Sequence, residues 1–376
     1  MSDINEYLKW RGDITFDYDP FNEVDSLILS ELAYCDFDHV VLEDDEPTEL
    51  KTIRKRYFRV HDREEVKKRT VFNGWTPLLL DSLYVSKRFE NLKIGYFVNR
   101  KEDEKDEQFS AVTFELNDQF RYVAFRGTDN SVTGWKEDLL FSYKSGTPGQ
   151  LAARDYLNHY CKDYDGILHV GGHSKGGNLA VYSAAFCEKS IQDKITDIWS
   201  NDGPGFLQET IESIEYQRIK NRIHSYIPRS SIIGLLMNND VDHCIIQSTG
   251  KGAYQHNALT WVVEKNHFVR AEEFSNGNLF LDKTIEHWLD GLEDEDKEEF
   301  LEYVFSILDA PGDDYIEEIK QHGLKSARDM FKAGTSINKE QLQKIAKVVG
   351  HFIASGSSTI FDSLKNVGNT DKDKKN

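Results

Sequence analysis

The pattern of apolar and polar positions divides the chain into regions of different character. Between residues 94 and 125, β-branched and aromatic runs separated by polar breaks predict three strands: IGYFV (94–98), FSAVTFEL (109–116) and RYVAF (121–125). From residue 151 the pattern alternates, with predicted helices at 151–164 and 178–189 and predicted strands at 167–172, 195–200, 221–227 and 243–248. Such alternation indicates an α/β fold with a mainly parallel central sheet flanked by helices, and the strands after residue 120 at its buried centre.

Helical patterns precede and follow this alternating region. Apolar residues recur at helical spacing near the start of the chain, as in Val24, Leu27, Ile28 and Leu32, and LDKTIEHWLDGL (281–292) has a similar pattern near the end. We therefore predict an N-terminal helical layer over residues 1–93 that packs on a core over 94–275. C-terminal helices over 276–355 and a flexible, charged tail over 356–376 are expected to follow.

Composition narrows the class of protein. Hydrophobic residues make up 39% of the chain and aromatic residues 12%, which is typical of a globular protein. The formal net charge is -19, so we expect no nucleic-acid partner. Cys35, Cys161, Cys187 and Cys244 form no CxxC pair, which favours reduced thiols over disulfides or a zinc site, and we expect neither a metal nor a cofactor.

Targeting signals do not stand out in the sequence. The first residues lack the basic start and apolar stretch of a secretory signal, and no run of about 18 apolar residues occurs. The expectation is a cytoplasmic protein without integral membrane contact.

Candidate chemistry first appears in the segment ILHVGGHSKGGNLAVYSAAF. Residues 172–176 match the GxSxG motif, with an apolar strand before them and a helix pattern after them. A nucleophile elbow places serine on a strained strand-to-helix turn, where flanking glycines let neighbouring backbone approach closely. Gly172 and Gly176 meet this requirement, so the context predicts Ser174 as a nucleophile; an ordinary structural turn is the alternative.

A second segment, RYVAFRGTDNSVTGWKEDLLF (121–141), contains Phe125-Arg126-Gly127-Thr128 followed by Trp135 and Asp138. With these motifs the chain resembles the class-3, fungal-type lipases of the α/β-hydrolase superfamily. Those proteins carry an FRG[ST] turn, a W..DL segment and GHSxGG in that order. The chain is most similar to a bacterial branch that reads GHSKGGNLA at the elbow and QH....W near the histidine.

The resemblance implies an α/β-hydrolase fold and an oxyanion hole. Thr128 and Lys175 would donate their backbone N–H groups to the oxyanion, and Asp138 would hold the hydroxyl of Thr128. The alternative is that the FRGT segment is an ordinary turn. Lys175 stands where the fungal-type lipases commonly have leucine, and its side chain either favours an anionic or strongly polar substrate or is solvated.

The general base has to be chosen among 12 histidines. Order and context select His256, which lies C-terminal to Ser174 as the order Ser, acid, His requires. It also precedes Trp261 at the spacing of the resembled branch. His243 and His267 are alternatives, and His173, inside the elbow, is expected to point away from the pocket.

The acid is the least certain member of the predicted triad. Fungal-type lipases carry an aspartate in the segment that here reads SYIPRSSIIGLL (225–236), which has no acidic residue. Asp202, in the turn after the strand ITDIWS, is the first candidate, and Asp240 and Asp242 are the next. The predicted role of Asp202 is to orient His256 and stabilise the imidazolium. The alternative is that Asp202 only caps its turn.

Together these residues predict a serine hydrolase that cleaves a carboxylic ester, of lipase, esterase or lysophospholipase type, through an acyl-enzyme on Ser174. The expected substrate is a small-molecule acyl ester or a lipid. Thioester or amide cleavage and acyl transfer would use the same residues. Because SYIPRSSIIGLL lacks an acid, a catalytically silent binding protein is a second hypothesis, and recruitment of a partner or membrane by the C-terminal helices is a third.

Overall fold

The computed structural model describes residues 2–44, 46–68, 75–102, 107–128, 144–231, 233–250 and 252–274. Asp138, the helices predicted over 276–355 and the tail predicted over 356–376 lie outside the described residues.

An eight-stranded sheet runs through the described part of the molecule, and its strands lie side by side in chain order. They are β1 (Thr48–Glu49), β2 (Lys93–Glu102), β3 (Glu107–Asn117), β4 (Phe120–Phe125), β5 (Ile167–His173), β6 (Ile195–Asn201), β7 (Ile223–Pro228) and β8 (His243–Ile246). A separate antiparallel pair consists of β9 (Val263–Glu264) and β10 (His267–Phe268).

The sheet changes character at β4. Strands β4 to β8 pair in parallel, as the alternating pattern predicts, whereas the pairs from β1 to β4 are antiparallel. Asp118 and Gln119 alone join β3 to β4, and so short a connection permits a hairpin but not the crossover that a parallel pair needs. The predicted sheet flanked by helices is confirmed, with an antiparallel section along its N-terminal side.

Helices cover the sheet. They are α1 (Ile4–Arg11), α2 (Glu23–Leu32), α3 (Leu50–Val60), α4 (Arg63–Lys67), α5 (Leu79–Val85), α6 (Pro148–Tyr160), α7 (Lys175–Phe186), α8 (Lys189–Gln192), α9 (Gln208–Glu212) and α10 (Ile214–Ile219). Short 3-10 helices lie at Thr76–Leu78, Lys87–Phe89, Lys220–Arg222, Ile233–Leu235, Gly252–His256 and Ala258–Thr260. Helix α6 begins earlier than predicted because Thr147 and Gln150 form a capping box and Pro148 opens the first turn.

Two hydrophobic clusters divide the core. One joins α1, α2, α3 and α5 to sheet residues such as Phe114 and Tyr122. The other joins α6 and α7 to residues such as Val123 and Phe125 of β4. Along this strand they alternate with residues of the first cluster, such as Tyr122. The sheet is therefore buried on both faces, and the helices before residue 93 contribute to one of its two cores; the predicted domain boundaries themselves stay predictions.

Helix α2 lies at the centre of the first cluster, and every residue in it is buried. Its polar side chains therefore need partners inside the protein. Ser26 and Ser30 each lie 2.9 Å from the hydroxyl of Tyr122 on β4, and Asp25 accepts hydrogen bonds from Arg88. The contacts with Tyr122 fix α2 against the sheet, and the contact with Arg88 links it to the 3-10 helix Lys87–Phe89. The C-terminal end of α2 lies close to the carboxyl end of β5.

The four cysteines are free thiols. In the described ranges, no helix combines the length and apolar character needed to cross a membrane.

Candidate active site

Ser174 occupies the turn between β5 and α7. Its backbone has φ 58° and ψ -132°, a conformation that residues other than glycine rarely adopt. A Cβ atom on Gly172 would lie 2.3 Å from the carbonyl carbon of Gly176, and one on Gly176 would lie 2.1 Å from the carbonyl oxygen of Phe125. Both positions therefore require glycine, and the local geometry is that of a strained strand-to-helix elbow.

The neighbouring strand places Asp202 at the same edge of the sheet. In the parallel pairing of β5 with β6, His173 lies opposite Asn201, and the N–H of Ser174 donates to the carbonyl of Asn201 over 2.9 Å. Asp202 follows with φ 53°, and its N–H donates to the carbonyl of Tyr226 over 2.8 Å. Ser174 and Asp202 thus follow the carboxyl ends of adjacent parallel strands, where functional groups of open α/β sheets gather.

The carboxylate of Asp202 is fully buried and is bonded on both oxygens. Its Oδ2 lies 2.6 Å from Nδ1 of His256 and accepts a hydrogen bond from the hydroxyl of Ser231. Its Oδ1 accepts a hydrogen bond from the N–H of Gly234 over 3.0 Å. These contacts satisfy a buried acid and hold it in one orientation.

Ser231 and Gly234 belong to the segment SYIPRSSIIGLL, in which the fungal-type lipases carry their aspartate. In this chain the segment has no acid and instead supplies two hydrogen-bond donors to an acid from the strand beside it. Sequence reasoning missed both residues, since nothing in the local pattern connects them with Asp202. The other candidate acids lie elsewhere: Asp240 pairs with Lys220 over 2.7 Å, and Asp242 is exposed.

His256 ends the 3-10 helix after β8, and 12% of its side chain is exposed. The two alternative histidines have other partners. Nδ1 of His243 lies 2.9 Å from the hydroxyl of Ser225, and Nδ1 of His267 lies 3.1 Å from the carbonyl oxygen of Phe268. Among the three candidate bases, His256 is the one in hydrogen-bond contact with a buried carboxylate.

His173 contacts His256 directly from inside the elbow. Its ring is fully buried, and its centroid lies 4.5 Å from that of His256, with the two planes inclined by 29°. Nε2 of His173 lies 2.9 Å from the carbonyl oxygen of His256. The elbow therefore carries Ser174 and, one residue earlier, a side chain that touches the candidate base.

The candidate oxyanion turn follows β4. A Cβ atom on Gly127 would lie 2.8 Å from the carbonyl oxygen of His173, so the turn passes directly against the elbow. Lys175 opens α7, and its backbone N–H lies in the first turn, where helix N–H groups have no intrahelical partner. The oxyanion role of the Thr128 and Lys175 amides stays a prediction, and Asp138 lies outside the described residues.

The side chain of Lys175 is buried, with 2% of the residue exposed. Its Nζ donates to the backbone carbonyl of Gln108 over 2.8 Å and to Oε1 of the same residue over 3.0 Å. The alternative of a solvated lysine is wrong, because β3 offers two oxygens within reach of the ammonium group.

Two residues of the N-terminal layer also reach the elbow. The hydroxyl of Tyr34 donates to the carbonyl of His173 over 3.3 Å, and Oε1 of Glu31 lies 3.3 Å from Nδ1 of the same histidine. Sequence reasoning missed both. The sequence does single out Glu31, because it continues the helical stripe of apolar residues begun by Val24 and Ile28, where an acidic residue is unexpected. No feature of the sequence singles out Tyr34.

Among the residues that the structure describes, no group of three or more His, Cys, Asp or Glu side chains could hold a metal ion.

The sheet topology, the helices on both faces and the elbow at the carboxyl end of β5 define an α/β-hydrolase that resembles the fungal-type lipases. Residues 83–306 match the family described as Mbeg1-like, and this match spans more than half of the chain. The chain belongs to the Mbeg1-like family.

Solved structures show more distant likeness. A mutant of MDLA from Penicillium cyclopium is 12% identical, with 67% of this chain and 86% of that chain covered and a TM-score of 0.39. The Rhizomucor miehei lipase propeptide complex is 18% identical (44% of this chain, 58% of that chain, TM-score 0.33). Lip2 lipase from Yarrowia lipolytica is 13% identical (52% and 77%, TM-score 0.33).

This chain matches only 58% of the length of the Rhizomucor lipase chain. At such low identities, neither a substrate nor the role of a residue can be transferred from these structures to this chain. No curated protein sequence matches the chain significantly.

Proposed function

We propose that this protein is a serine hydrolase that cleaves carboxylic esters through an acyl-enzyme on Ser174. The observation that carries the proposal is the contact of 2.6 Å between buried Asp202 and Nδ1 of His256, at the sheet edge where Ser174 occupies a strained elbow. A serine nucleophile needs a base that is oriented by a third group, and these residues supply one.

The proposed reaction begins when Oγ of Ser174 attacks the acyl carbonyl carbon and its proton passes to Nε2 of His256. Asp202 keeps the proton on Nδ1 of His256 and stabilises the imidazolium that forms. The carbonyl oxygen becomes an oxyanion that accepts hydrogen bonds from the backbone N–H groups of Lys175 and Thr128. Each such donor typically lowers the barrier by about 3 kcal/mol.

The tetrahedral intermediate then breaks the bond to the alcohol, which leaves with the proton from His256. Water attacks the acyl-enzyme, His256 removes its proton, and a second tetrahedral intermediate releases the carboxylic acid and regenerates Ser174. The substrate class is a small-molecule acyl ester or a lipid. A thioester would follow the same steps with a thiol as the leaving group.

Hydrolysis of p-nitrophenyl esters from short to long acyl chains tests the proposal. Ser174→Ala is expected to lower kcat by about 10⁴-fold or more. Ser190→Ala is the matched control, because Ser190 is exposed on α8, and it should keep the native rate. A native protein without activity on any ester or thioester would favour a silent binding protein, and full activity in Ser174→Ala would contradict the proposed nucleophile.

A further inference from the structure

Glu31 is a buried acid that the proposed reaction does not use. The residue is 0% exposed, and its Oε1 lies 3.3 Å from Nδ1 of His173. Within the described part of the chain, neither carboxyl oxygen makes a hydrogen bond to any group. Buried carboxyl groups are costly unless they are paired or neutral, so the position of Glu31 behind the elbow requires an explanation.

The hydrogen bonds of His173 determine its tautomer. Nε2 lies 2.9 Å from the carbonyl oxygen of His256, and a carbonyl can only accept, so Nε2 carries a hydrogen. In a neutral ring, Nδ1 is then an acceptor. The hydroxyl of Tyr34 lies 3.3 Å from this nitrogen, and a protonated Glu31 has a second hydroxyl that can donate to it, so Glu31 and His173 complement each other without a net charge.

Burial favours the same neutral arrangement for both residues. It raises the pKa of Glu31 to about 8. Burial, together with the nearby His256, lowers the pKa of His173 well below its usual range, and this effect outweighs the opposing hydrogen bond to the backbone of His256. Both directions agree with the geometry, in which the proton stays on Glu31 and the His173 ring is neutral.

We propose that Glu31 and His173 are positioning residues for His256. Neutral Glu31 donates to Nδ1 of His173 and thereby fixes the Nε2–H tautomer. This N–H holds the carbonyl of His256 while the His173 ring stacks on the His256 ring. The inference rests on the proposed function, in which His256 is the base.

A neutral His173 also suits the charge that develops during the reaction. His256 becomes a cation when it takes the proton of Ser174, and the His173 ring centroid is only 4.5 Å away. A second cation there would oppose that step. The groups that face His173 are Glu31 and Tyr34 from the N-terminal layer and His256 on the other side; Asp202 supplies the negative charge through its contact with His256.

Three variants separate the parts of this arrangement. Glu31→Gln keeps the shape and offers an amide N–H to Nδ1, so kcat should stay within about 2-fold of native. Glu31→Leu removes the donor and should lower kcat about 10-fold with KM unchanged, the size expected for one hydrogen bond. His173→Phe keeps an aromatic ring but loses both nitrogens, and should lower kcat at least as much.

The double variant Glu31→Leu with His173→Phe tests whether the acid acts through the histidine. It should be no slower than His173→Phe alone, because Glu31 then has no ring nitrogen to hold. Losses that multiply would instead give Glu31 a separate, merely structural role and overturn the proposal.

A second readout is independent of catalysis. Nitrogen-15 NMR of histidine-labelled protein should show His173 as the Nε2–H tautomer in the native protein and in Glu31→Gln, and a mixture of tautomers in Glu31→Leu. A charged His173 at pH 7, or a Glu31→Gln variant as impaired as Glu31→Leu, would overturn the proposal. If the native protein hydrolyses no acyl compound, the proposed function fails, and the spectra still decide whether Glu31 sets the tautomer of His173.

Discussion

Ser174 and Asp202 both have a positive φ, of 58° and 53°, which non-glycine residues seldom adopt. Each such residue typically costs on the order of 1–3 kcal/mol. Hydrogen bonds from their N–H groups to Asn201 and Tyr226 hold them in place. Because both residues directly follow neighbouring parallel strands, they lie at one edge of the sheet, which is the arrangement that the proposed chemistry needs.

Replacement of the acid is the first residue-scale test. Asp202→Asn should lower kcat on a p-nitrophenyl ester by about 10⁴-fold, because an amide can donate to Nδ1 of His256 and so favour the wrong tautomer. Asp240→Asn and Asp242→Asn are matched controls and should remain near the native rate, since Asp240 pairs with Lys220 and Asp242 is exposed. A large loss in either control with little loss in Asp202→Asn would contradict the assignment.

The ionisation of Glu31 predicts a pH dependence of stability. Between its ordinary pKa of 4.5 and its raised pKa of about 8, the folded chain keeps a proton that the unfolded chain has released. The contribution of Glu31 to the free energy of unfolding is therefore fully favourable below pH 4.5 and is lost as pH rises towards 8.

Urea unfolding of native protein and Glu31→Gln from pH 5 to pH 8 measures this effect. The native protein should lose stability relative to the variant as pH rises, by at most about 1.4 kcal/mol per pH unit. Parallel stability curves would show that Glu31 is ionised or exposed in the folded protein.

At the scale of elements, the candidate site depends on segments that are distant in sequence. The elbow comes from β5 and α7, the candidate acid follows β6, and the candidate base follows β8. The loop after β7 supplies Ser231 and Gly234, which donate hydrogen bonds to Asp202. The geometry of the acid is therefore a property of this loop as much as of the strand that carries Asp202.

Removal of one donor tests that dependence. Ser231→Ala should lower kcat about 10-fold, because Oδ2 of Asp202 keeps its contact with His256 but loses a partner that fixes its orientation. Ser230→Ala changes the adjacent residue and should have little effect. Equal kinetics for the two variants would show that the hydroxyl of Ser231 does not support the acid.

The sequence predicts the local elements of this fold well. A β-branched and aromatic run predicts the strand at 121–125, and the alternating pattern predicts the strand at 167–172; the structure has strands at Phe120–Phe125 and Ile167–His173. The sequence predicts the elbow because its constraint is local: glycine is needed two residues before and two residues after Ser174.

Contacts between distant segments were not predictable in this way. The bonds from Ser231 to Asp202 and the approach of Glu31 to His173 depend on how strands and helices assemble. Nothing in the local pattern of apolar residues encodes them. The same reason applies to Lys175, whose sequence neighbours give no hint of the two oxygens that Gln108 provides.

On the scale of the whole molecule, the N-terminal layer is part of the folding unit of the sheet. Leu27 and Ile28 of α2 share a core cluster with Tyr122 of β4. A buried ion pair stabilises the layer itself: Nη2 of Arg88, in the 3-10 helix Lys87–Phe89, lies 2.5 Å from Oδ2 of Asp25 on α2, and both side chains are 0% exposed. Loss of the layer would therefore expose one face of the sheet.

Removal of one partner of this ion pair tests how much the N-terminal layer contributes to the stability of the fold. Arg88→Met should lower the free energy of unfolding by about 3–5 kcal/mol, because it leaves the Asp25 carboxylate buried without its partner. Arg100→Met is the control: Arg100 pairs with Glu43 at the surface, with 47% and 48% of their side chains exposed, and should cost less than about 1 kcal/mol. Similar urea midpoints for the two variants would show that the buried ion pair does not stabilise the fold.

The most direct test of the central claim is the site of reaction with a fluorophosphonate, which phosphonylates activated serines. Peptide mass spectrometry of the treated native protein should locate the adduct on Ser174. Labelling should be abolished in Ser174→Ala and strongly slowed in His256→Ala, whereas the controls His243→Ala and His267→Ala should label at the native rate. An intact protein that is not labelled, or an adduct that persists in Ser174→Ala, would contradict the account.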